Sequence, residues 1–547
     1  MNRKTILAIL GAVCCTAANA QNGLTSRSLT IEGAYNPTVT KTEKIMPVPD
    51  KPESERKAAQ VTYLTESNPM QSMQRAPMAA FSETSDDIKV ASYSGLVRFG
   101  WGLRSVHDGL LDFNWRISDR DELKVYGLMD AWCTKPDGKW KSHMFNGDLD
   151  VAYSHRFDML SLGADASLGH SHFNYRKGAD LTAAQRADSK LLQNTGRESL
   201  GVWGAGQIDS INWHARIGME WLSRSGLNLA GTKRDNKERL LRIEGGISMP
   251  APVIGGTAGL EYRQKSAVYD WQGLYGCNYS NFTAVTITPY WNNSWGQLDA
   301  NLGLNMDFRS AAGCGFLISP MATVTYNVNE SLKLLSGVTG GIEDNSMRTL
   351  AGVSPYWSES KRIKDGYTLF NAWIGASYSQ GTWLTLSGKG GYRHTMDELF
   401  QTVSDSLIVT SQLEQGSLDV FYFRVDADMQ FAERAQVKMD MTVNGYTGKH
   451  KPGQLALKPV LDASLFGKVN IMPGLDAMLT YRMMTMRKVA GKRMPMVNDL
   501  AVTVDYDFRP NLSFYVTGSR LAGGDWYYYA GYRSIKPSVM VGATYRF

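Results

Sequence analysis

The eight histidines are the residues best suited to acid–base chemistry, and they are scattered along the chain. The sequence contains no H-E-x-x-H metal motif, and no G-x-S-x-G elbow, phosphate-binding loop or dinucleotide fingerprint lies between a strand and a helix. His214, His394 and His450 could each act as a base beside a serine, but nothing in their spacing favours such a pair. We therefore assign no catalytic, cofactor-binding or metal-binding residue, expect no cofactor, and predict that the protein is not an enzyme.

The cysteines give no stronger sign of a chemical site. Cys14 and Cys15 lie in an apolar N-terminal stretch, which leaves Cys133, Cys277 and Cys314. Their spacing matches neither a disulfide framework nor a zinc site. Cys277 and Cys314 could form a bridge outside the cell if their two loops meet.

Aromatic residues cluster between the segments that alternate most clearly. The clusters are Tyr269, Trp271 and Tyr275; Tyr356 and Trp357; and Trp526, Tyr527, Tyr528 and Tyr529. Aromatic faces can bind sugars or a partner surface. Aromatics near strand ends more often form the girdle at a membrane interface. We predict the outer girdle and keep ligand binding as the alternative.

The N-terminus predicts export. A basic start, Met1-Asn2-Arg3-Lys4, precedes an apolar run and the small residues Ala18-Asn19-Ala20, which is the pattern of a secretory signal peptide over residues 1–20. The net charge of +6 falls to about +4 without Arg3 and Lys4. That weak and evenly spread charge argues against a nucleic-acid partner.

Residues 21–92 differ from the rest of the chain in being rich in proline, and we predict an extended periplasmic segment. Within it, Leu29-Thr30-Ile31-Glu32-Gly33-Ala34-Tyr35-Asn36-Pro37-Thr38-Val39 is followed by Ile45-Met46-Pro47. This stretch resembles the N-terminal segment of TonB-dependent-receptor-like outer-membrane β-barrels of Bacteroidota type. The alternatives are a disordered linker and a short strand that adds to a partner's sheet edge.

From residue 93 to 547 the chain is a series of segments in which apolar and polar residues alternate, as in strands with one apolar face. We predict twenty-two strands, at Ser94–Arg104, Gly109–Ser118, Glu122–Trp132, Met144–Phe157, Met159–Ser171, Ser199–Ile208, Ser210–Arg224, Lys237–Met249, Ile254–Lys265, Phe282–Trp291, Gln297–Phe308, Phe316–Asn327, Ser331–Ile342, Gly366–Ser379, Thr382–His394, Gly416–Phe431, Ala435–Tyr446, Leu457–Ile471, Leu475–Arg487, Val497–Phe508, Leu512–Arg520 and Ile535–Phe547.

The last segment indicates that the sheet closes into a barrel. Val539, Val541, Ala543, Tyr545 and Phe547 share one face, and the chain ends on an aromatic residue. In lipid a final strand must pair with the first, because an open sheet edge would leave backbone groups without partners. Taken alone, this segment would also suit an edge strand of a soluble β-protein.

The connections between the segments alternate short and long, as in outer-membrane barrels with tight periplasmic turns and longer outer loops. We therefore predict an all-β fold: a transmembrane antiparallel up-and-down β-barrel of about 22 strands in the bacterial outer membrane, with membrane lipid around it. Inward positions carry both signs of charge: Arg216, Glu220, Arg424, Asp426, Asp428, Lys438, Asp440 and Arg482. Such a lining suits a hydrated lumen with weak ion preference, or a lumen filled by mutual salt bridges.

Barrels of this size include transporters with a plugged lumen. Only about 70 residues precede the first predicted strand after the signal peptide, so we expect no folded plug. The N-terminal segment, folded-in loops or a partner would then block the lumen. Our main hypothesis is a non-enzymatic subunit or scaffold of an outer-membrane complex for protein assembly, secretion or export, with protein partners in the outer membrane or periplasm. The alternative is a TonB-receptor-like or porin-like barrel for solute transport, and a barrel enzyme is the weakest hypothesis.

Overall fold

The computed structural model describes residues 94–547 except 136–140, 178–191, 226–234, 272–278, 311–314, 359–362, 406–407, 432–433, 448–456, 490–491 and 530. The predicted signal peptide (1–20) and Pro-rich segment (21–92) lie outside these residues, as do Cys277, Cys314, Tyr275 and His450. No helix in the described part of the chain is long and apolar enough to cross a membrane.

In the described part of the chain, twenty-two long strands, β1 to β22 in chain order, form one closed antiparallel barrel. They are Gly95–Gly102, Val106–Arg116, Asp121–Thr134, Ser142–Arg156, Leu160–Asn174, Leu192–Ile208, Ile211–Ser225, Asp235–Pro250, Thr257–Asp270, Phe282–Trp295, Leu298–Arg309, Gly315–Asn327, Leu332–Glu343, Gly366–Gln380, Leu384–Asp405, Ile408–Phe431, Ala435–Thr447, Leu461–Met472, Leu475–Thr485, Val497–Arg509, Leu512–Ser519 and Ser538–Arg546. Each predicted strand corresponds to one of them, so the predicted fold class and strand number are confirmed.

One predicted loop is wrong. Residues Thr395–Gln415 were expected to form a long connection, but β15 and β16 continue through them as a paired hairpin. The register shifts between Thr395 and Glu398, where Asp397 has a φ of 55°. Such a bulge interrupts the alternation of apolar and polar residues in the sequence. The pattern therefore did not predict that β15 and β16 extend beyond it.

The barrel closes between its first and last strands. β1 and β22 are antiparallel, with Gly100 opposite Gly542, and the pairing continues as mutual backbone hydrogen bonds of 3.0 Å between Gly95 and Phe547. The predicted pairing of the C-terminal strand with the first strand is confirmed.

A tyrosine side chain crosses this seam on the lumen side. Tyr515 on β21 donates a hydrogen bond of 2.9 Å to Asp108 on β2, passing over the inward-facing Gly542 and Gly100. The Arg98 guanidinium lies 3.7 Å from the centre of the tyrosine ring. A Cβ atom at either glycine would overlap Tyr515, so the crossing needs both glycines.

The two faces of the sheet differ as the alternation predicts. Large apolar side chains are exposed on the outer face, including Trp101, Leu168, Ile217, Ile374 and Val541. Along β8 the outward residues from Leu241 to Met249 are all apolar or glycine. Their span is close to the ~25 Å apolar band of membrane barrels, and we call this outer belt the apolar band.

The connections define two ends of the barrel. We call the end with connections 117–120, 157–159, 209–210, 251–256, 296–297, 328–331, 381–383, 432–434, 473–474 and 510–511 the turn end. The other connections, at the loop end, are 103–105, 135–141, 175–191, 226–234, 271–281, 310–314, 344–365, 406–407, 448–460, 486–496 and 520–537. The predicted alternation of short and long connections is present, and most long connections lie at one end.

Smaller elements occur at the loop end. They are the helix α1 (Met347–Val353), a 3-10 turn at Leu103–Ser105, and short strands at Arg176–Lys177, Trp357–Ser358, Lys488–Val489, Lys492–Arg493, Tyr527–Tyr529 and Tyr532–Arg533.

Candidate functional site: loops folded over the lumen

Several loop-end segments pack together over the lumen, and we call them the loop cap. They are the described residues of 344–365 with α1, the β15–β16 hairpin beyond Thr395, and connections 457–460, 486–496 and 520–537. The helix begins where the Ser346 hydroxyl accepts the Thr349 amide hydrogen, a normal N-cap.

Both ends of the 344–365 loop are held by one buried lysine. Lys265 Nζ on β9 lies 2.8 Å from Asp344 Oδ1 and 2.6 Å from Asp365 Oδ2. Arg242 on β8 contacts Asp344 at 2.5 Å and Glu220 on β7 at 2.6 Å. The Lys265 and Asp365 side chains are only 9% and 6% exposed. Buried charges persist only when they are paired, so these contacts fix the base of the loop to the wall of β7–β9.

The two loop carboxyls respond differently to this setting. Burial alone would raise the pKa of Asp344, but the positive charges of Lys265 and Arg242 outweigh it and hold that pKa below its usual range. For Asp365, burial is the largest effect and raises its pKa, although Lys265 acts in the opposite direction. Asp344 is therefore the firmly ionised member of the pair.

The first turn of α1 is fixed by the carboxylate of Glu238. Glu238 on β8 is 1% exposed and accepts the backbone N–H groups of Met347, at 2.7 Å, and Arg348, at 3.1 Å. The Arg348 side chain donates to the Glu198 carbonyl oxygen on β6 at 3.3 Å. These bonds hold the helix over the wall formed by β6–β8.

Apolar packing completes the attachment. Trp357 is 1% exposed, and its ring lies 6.2 Å from that of Trp271. Arg224 stacks over Trp357 at 5.1 Å and donates to its carbonyl oxygen at 2.7 Å. The surrounding buried cluster comprises Leu222, Trp271, Tyr279, Met347, Leu350, Val353, Trp357, Ile363, Leu399 and Leu413.

The cap joins distant parts of the wall. Tyr356 stacks on Tyr532 with ring centres 3.4 Å apart, and the same cluster contains Phe173 from β5 and Val403 from β15. Trp357–Ser358 pairs in parallel with Ser411–Gln412, and Ile408–Val409 pairs with Arg176–Lys177. Loops that start far apart around the barrel therefore meet above the lumen.

Three further buried charges lie within the cap. Lys458 contacts Glu398 at 2.6 Å, with both side chains less than a tenth exposed. Arg487 donates to the carbonyl oxygen of Tyr527 at 2.7 Å and of Pro495 at 3.3 Å. Burial lowers the pKa of Arg487 to about 10, so it stays charged at neutral pH and ties connections 486–496 and 520–537 together.

The aromatic clusters are not the outer girdle that the sequence predicted. Trp271, Tyr356, Trp357 and Trp526 are each no more than 3% exposed and form the core of the cap. They are too buried to offer open faces to a ligand. Their position depends on how the loops fold, which the sequence pattern does not show.

The predicted inward charges do face the lumen, and they are paired. Arg216 contacts Asp165 at 2.7 Å, and Arg424 contacts Asp440 at 2.6 Å. The other pairs are Glu220 with Arg242, Asp426 with Arg424, Asp428 with Lys438, and Arg482 with Asp462. Mutual salt bridges, one of the two alternatives, therefore account for these charges.

The structure separates the candidate histidines. His214 lies 3.1 Å from Glu261 in a lumen-side cavity of about 330 Å³ near the turn end. His394 contacts Asp419 at 2.6 Å on the outer face, beside Tyr392. In the described residues, no group of three or more His, Cys, Asp or Glu side chains is placed to hold a metal ion.

The residues that anchor the cap were not singled out from the sequence. Lys265, Arg242, Asp344 and Asp365 are far apart in the chain and meet only in the folded barrel. The available signal was that acidic residues stand at both ends of the long predicted connection Glu343–Asp365.

Comparisons with known proteins show which solved structures share this fold. No family model matches the sequence, and no curated protein matches it at a significant level. The structure is similar to the siderophore receptor PirA from Acinetobacter baumannii, with a TM-score of 0.64, 14% identity, and 83% of this chain and 80% of that chain covered.

Two other receptors give similar values. A double mutant of the ferric enterobactin receptor PfeA from Pseudomonas aeruginosa gives a TM-score of 0.63 at 14% identity, covering 83% of this chain and 80% of that one. The ferric-catecholate import receptor Fiu from E. coli K12 gives 0.60 at 12% identity, covering 83% and 82%. Identities this low show a shared fold. All three neighbours are named as receptors.

Proposed function

We propose that the protein is a gated solute-transport barrel of the bacterial outer membrane, similar in architecture to TonB-dependent receptors, in which the loop cap closes the outer mouth. The apolar band and the tight turns at one end support this location, because outer-membrane barrels place their short turns in the periplasm. The turn end then faces the periplasm and the loop end faces outward.

The main support for this proposal is the position of the loop cap over the lumen. The 344–365 loop is held over the lumen by paired charges and by apolar packing. It would open by leaving these contacts, with its charges then solvated by water. Buried ion pairs bring little net stability compared with apolar packing, whereas they suit an element that must separate and reform. The structural neighbours, which are named as receptors, also support transport over the scaffold hypothesis.

The lumen below the cap suits a polar solute, because its wall carries paired charges of both signs and little net field. The absence of a folded plug concerns residues before β1, outside the described part, and stays a prediction. The predicted protein partners also stay a proposal.

The test is the electrical conductance of the purified barrel in planar lipid bilayers, with and without the 344–365 loop. Because Lys265 contacts both Asp344 and Asp365, the ends of the loop lie close together, and a short Gly-Ser linker can replace residues 345–364. We expect small or rare openings in the native protein and a large steady conductance in the deletion variant. Heat-dependent gel migration verifies that both variants are folded barrels.

Equal conductance in the two proteins would contradict a gating role for the loop. A native pull-down separates the remaining hypotheses: near-equal amounts of a co-purifying protein, together with unchanged conductance, would favour the scaffold over transport.

A further inference from the structure

Histidines collect on the outer face of the barrel at the edges of the apolar band. Among the described residues, His107, His143, His155, His170, His172 and His394 share the outward parity of their strands, and His214 faces the lumen. His170 and His172 share a face with Leu168, which is 60% exposed. Histidines at this level meet the headgroup layer rather than hydrocarbon.

Three of these histidines form a compact group on β4 and β5, close to the loop end. The ring centres of His143 and His172 are 5.4 Å apart, and those of His170 and His172 are 6.2 Å apart. Phe145 stacks on His172 at 5.5 Å. We call His143, His170 and His172 the histidine patch.

A lysine is fixed beside the patch. Asn174 accepts the backbone N–H of His143 at 2.9 Å and donates to the Lys141 carbonyl oxygen at 2.7 Å. The Lys141 side chain is exposed. The patch therefore has a positive neighbour whose backbone position is set by hydrogen bonds.

Two of the other outward histidines at the band edges have a different setting. His155 contacts Asp121 at 2.6 Å, and His394 contacts Asp419 at 2.6 Å. In each pair a tyrosine also donates to the same aspartate, Tyr153 at 2.6 Å and Tyr392 at 2.7 Å. These two histidines already have a carboxylate from a neighbouring strand.

The patch histidines instead face uncharged partners in the sheet register. Cys133 is opposite His143, Gly147 and Gly196 flank His170, and Phe145 and Asn194 flank His172. The acidic Glu198 is opposite Leu168, two residues along β5 from His170 toward the turn end. Imidazole N–H groups and a lysine ammonium at the headgroup level are donors suited to phosphate oxygens.

We infer that the histidine patch and Lys141 bind phosphate headgroups of net negative charge in the lipid that surrounds the barrel. The patch continues the apolar band directly above Leu149 and Leu168, so a lipid whose acyl chains lie on the band brings its phosphate to this level. The inference uses the membrane location given by the proposed function, and it does not depend on solute transport.

The test is native mass spectrometry of the full-length barrel in detergent micelles, titrated with phosphatidic acid or with phosphatidylcholine. The variant H143Q/H170Q/H172Q keeps side-chain size and polarity while removing the protonatable rings. The matched control is H155Q/H394Q, which changes the two histidines that are paired with aspartates. A hydrogen bond to a charged group changes affinity by roughly ten-fold or more, so we expect the triple variant to lose at least that factor for phosphatidic acid.

The control should bind phosphatidic acid as the native protein does. Unchanged binding in the triple variant, or equal binding of both lipids by the native protein, would overturn the inference. Displacement by millimolar inorganic phosphate would show a free-phosphate site and also contradict it. If the triple variant fails to fold, the single variant H170Q, at an exposed position, gives the same comparison. The lipid titration does not depend on conductance, so a failure of the transport proposal would show only in the bilayer experiment.

Discussion

Lys265 is the single side chain on which the attachment of the 344–365 loop depends most. Replacing it by methionine would leave Asp365 buried without its cation, although Asp344 would keep Arg242. Removing one member of a buried pair costs about 3–5 kcal/mol, because the remaining charge is uncompensated. We expect Lys265→Met to lower the local opening free energy of α1 by an amount of that order, measured as hydrogen-exchange protection of Met347–Val353.

The matched control for this prediction is Lys438→Met. Lys438 pairs with Asp428 at 3.5 Å in the lumen, with both side chains about two-fifths exposed. Solvent-exposed pairs contribute at most about 1 kcal/mol, and this pair is outside the cap. Equal protection of α1 in both variants would show that the ion pair does not hold the loop.

At the same scale, the inward charges illustrate what alternation in the sequence can predict. The alternation of apolar and polar residues correctly predicted that Arg216 and Glu220 lie on the lumen face. It could not predict that Arg216 pairs with Asp165, because Gly201 on the strand between them has no side chain and lets the two charges meet. Partner choice depends on register across three strands, which a single sequence does not contain.

At the scale of elements, the closing seam depends on small residues as much as on strand pairing. A valine at Gly542 would push the Tyr515 ring off the seam and break its bond to Asp108. Overpacking of this kind costs about 1–3 kcal/mol. We expect Gly542→Val to lower the temperature at which the folded barrel converts to the unfolded form in heat-dependent gel migration.

Gly467→Val is the control for the seam, since a Cβ atom at Gly467 on β18 would meet nothing within 4 Å. This variant should keep the native conversion temperature. If both valine variants lower the conversion temperature equally, the loss of stability comes from replacing any β-strand glycine and not from the contact at the closing seam.

The strands and the cap differ in how far they could be predicted. Each strand has a two-residue period of apolar and polar residues that is visible within its own segment. For this reason all twenty-two strands could be predicted. The extension of β15 and β16 was missed because the bulge at Asp397 interrupts that period. Folded-in loops were one of the three predicted ways to block the lumen, but the residues of the cap were not predicted. Its core joins Trp271 from connection 271–281, Trp357 from connection 344–365 and Leu413 from β16, and no local pattern records such contacts.

At the scale of the whole molecule, the assignment of the two ends decides whether the cap faces outward. Val253 in connection 251–256 is 95% exposed at the turn end, and Leu521 in connection 520–537 is 44% exposed at the loop end. In a variant with Cys133, Cys277 and Cys314 changed to serine, each position can carry a single cysteine. Intact cells treated with a membrane-impermeant maleimide then report which end is outside.

We expect Leu521→Cys to react in intact cells and Val253→Cys to react only after the outer membrane is permeabilised. Short turns belong on the periplasmic side of such barrels because the N- and C-terminal strands begin and end there, and β1 and β22 meet the turn end through Gly95 and Phe547. Labelling of Val253→Cys alone in intact cells would reverse the orientation. The cap would then face the periplasm and could not close an outer mouth. Labelling at neither position would argue against a surface-exposed loop end and, with it, against direct capture of solutes from outside the cell.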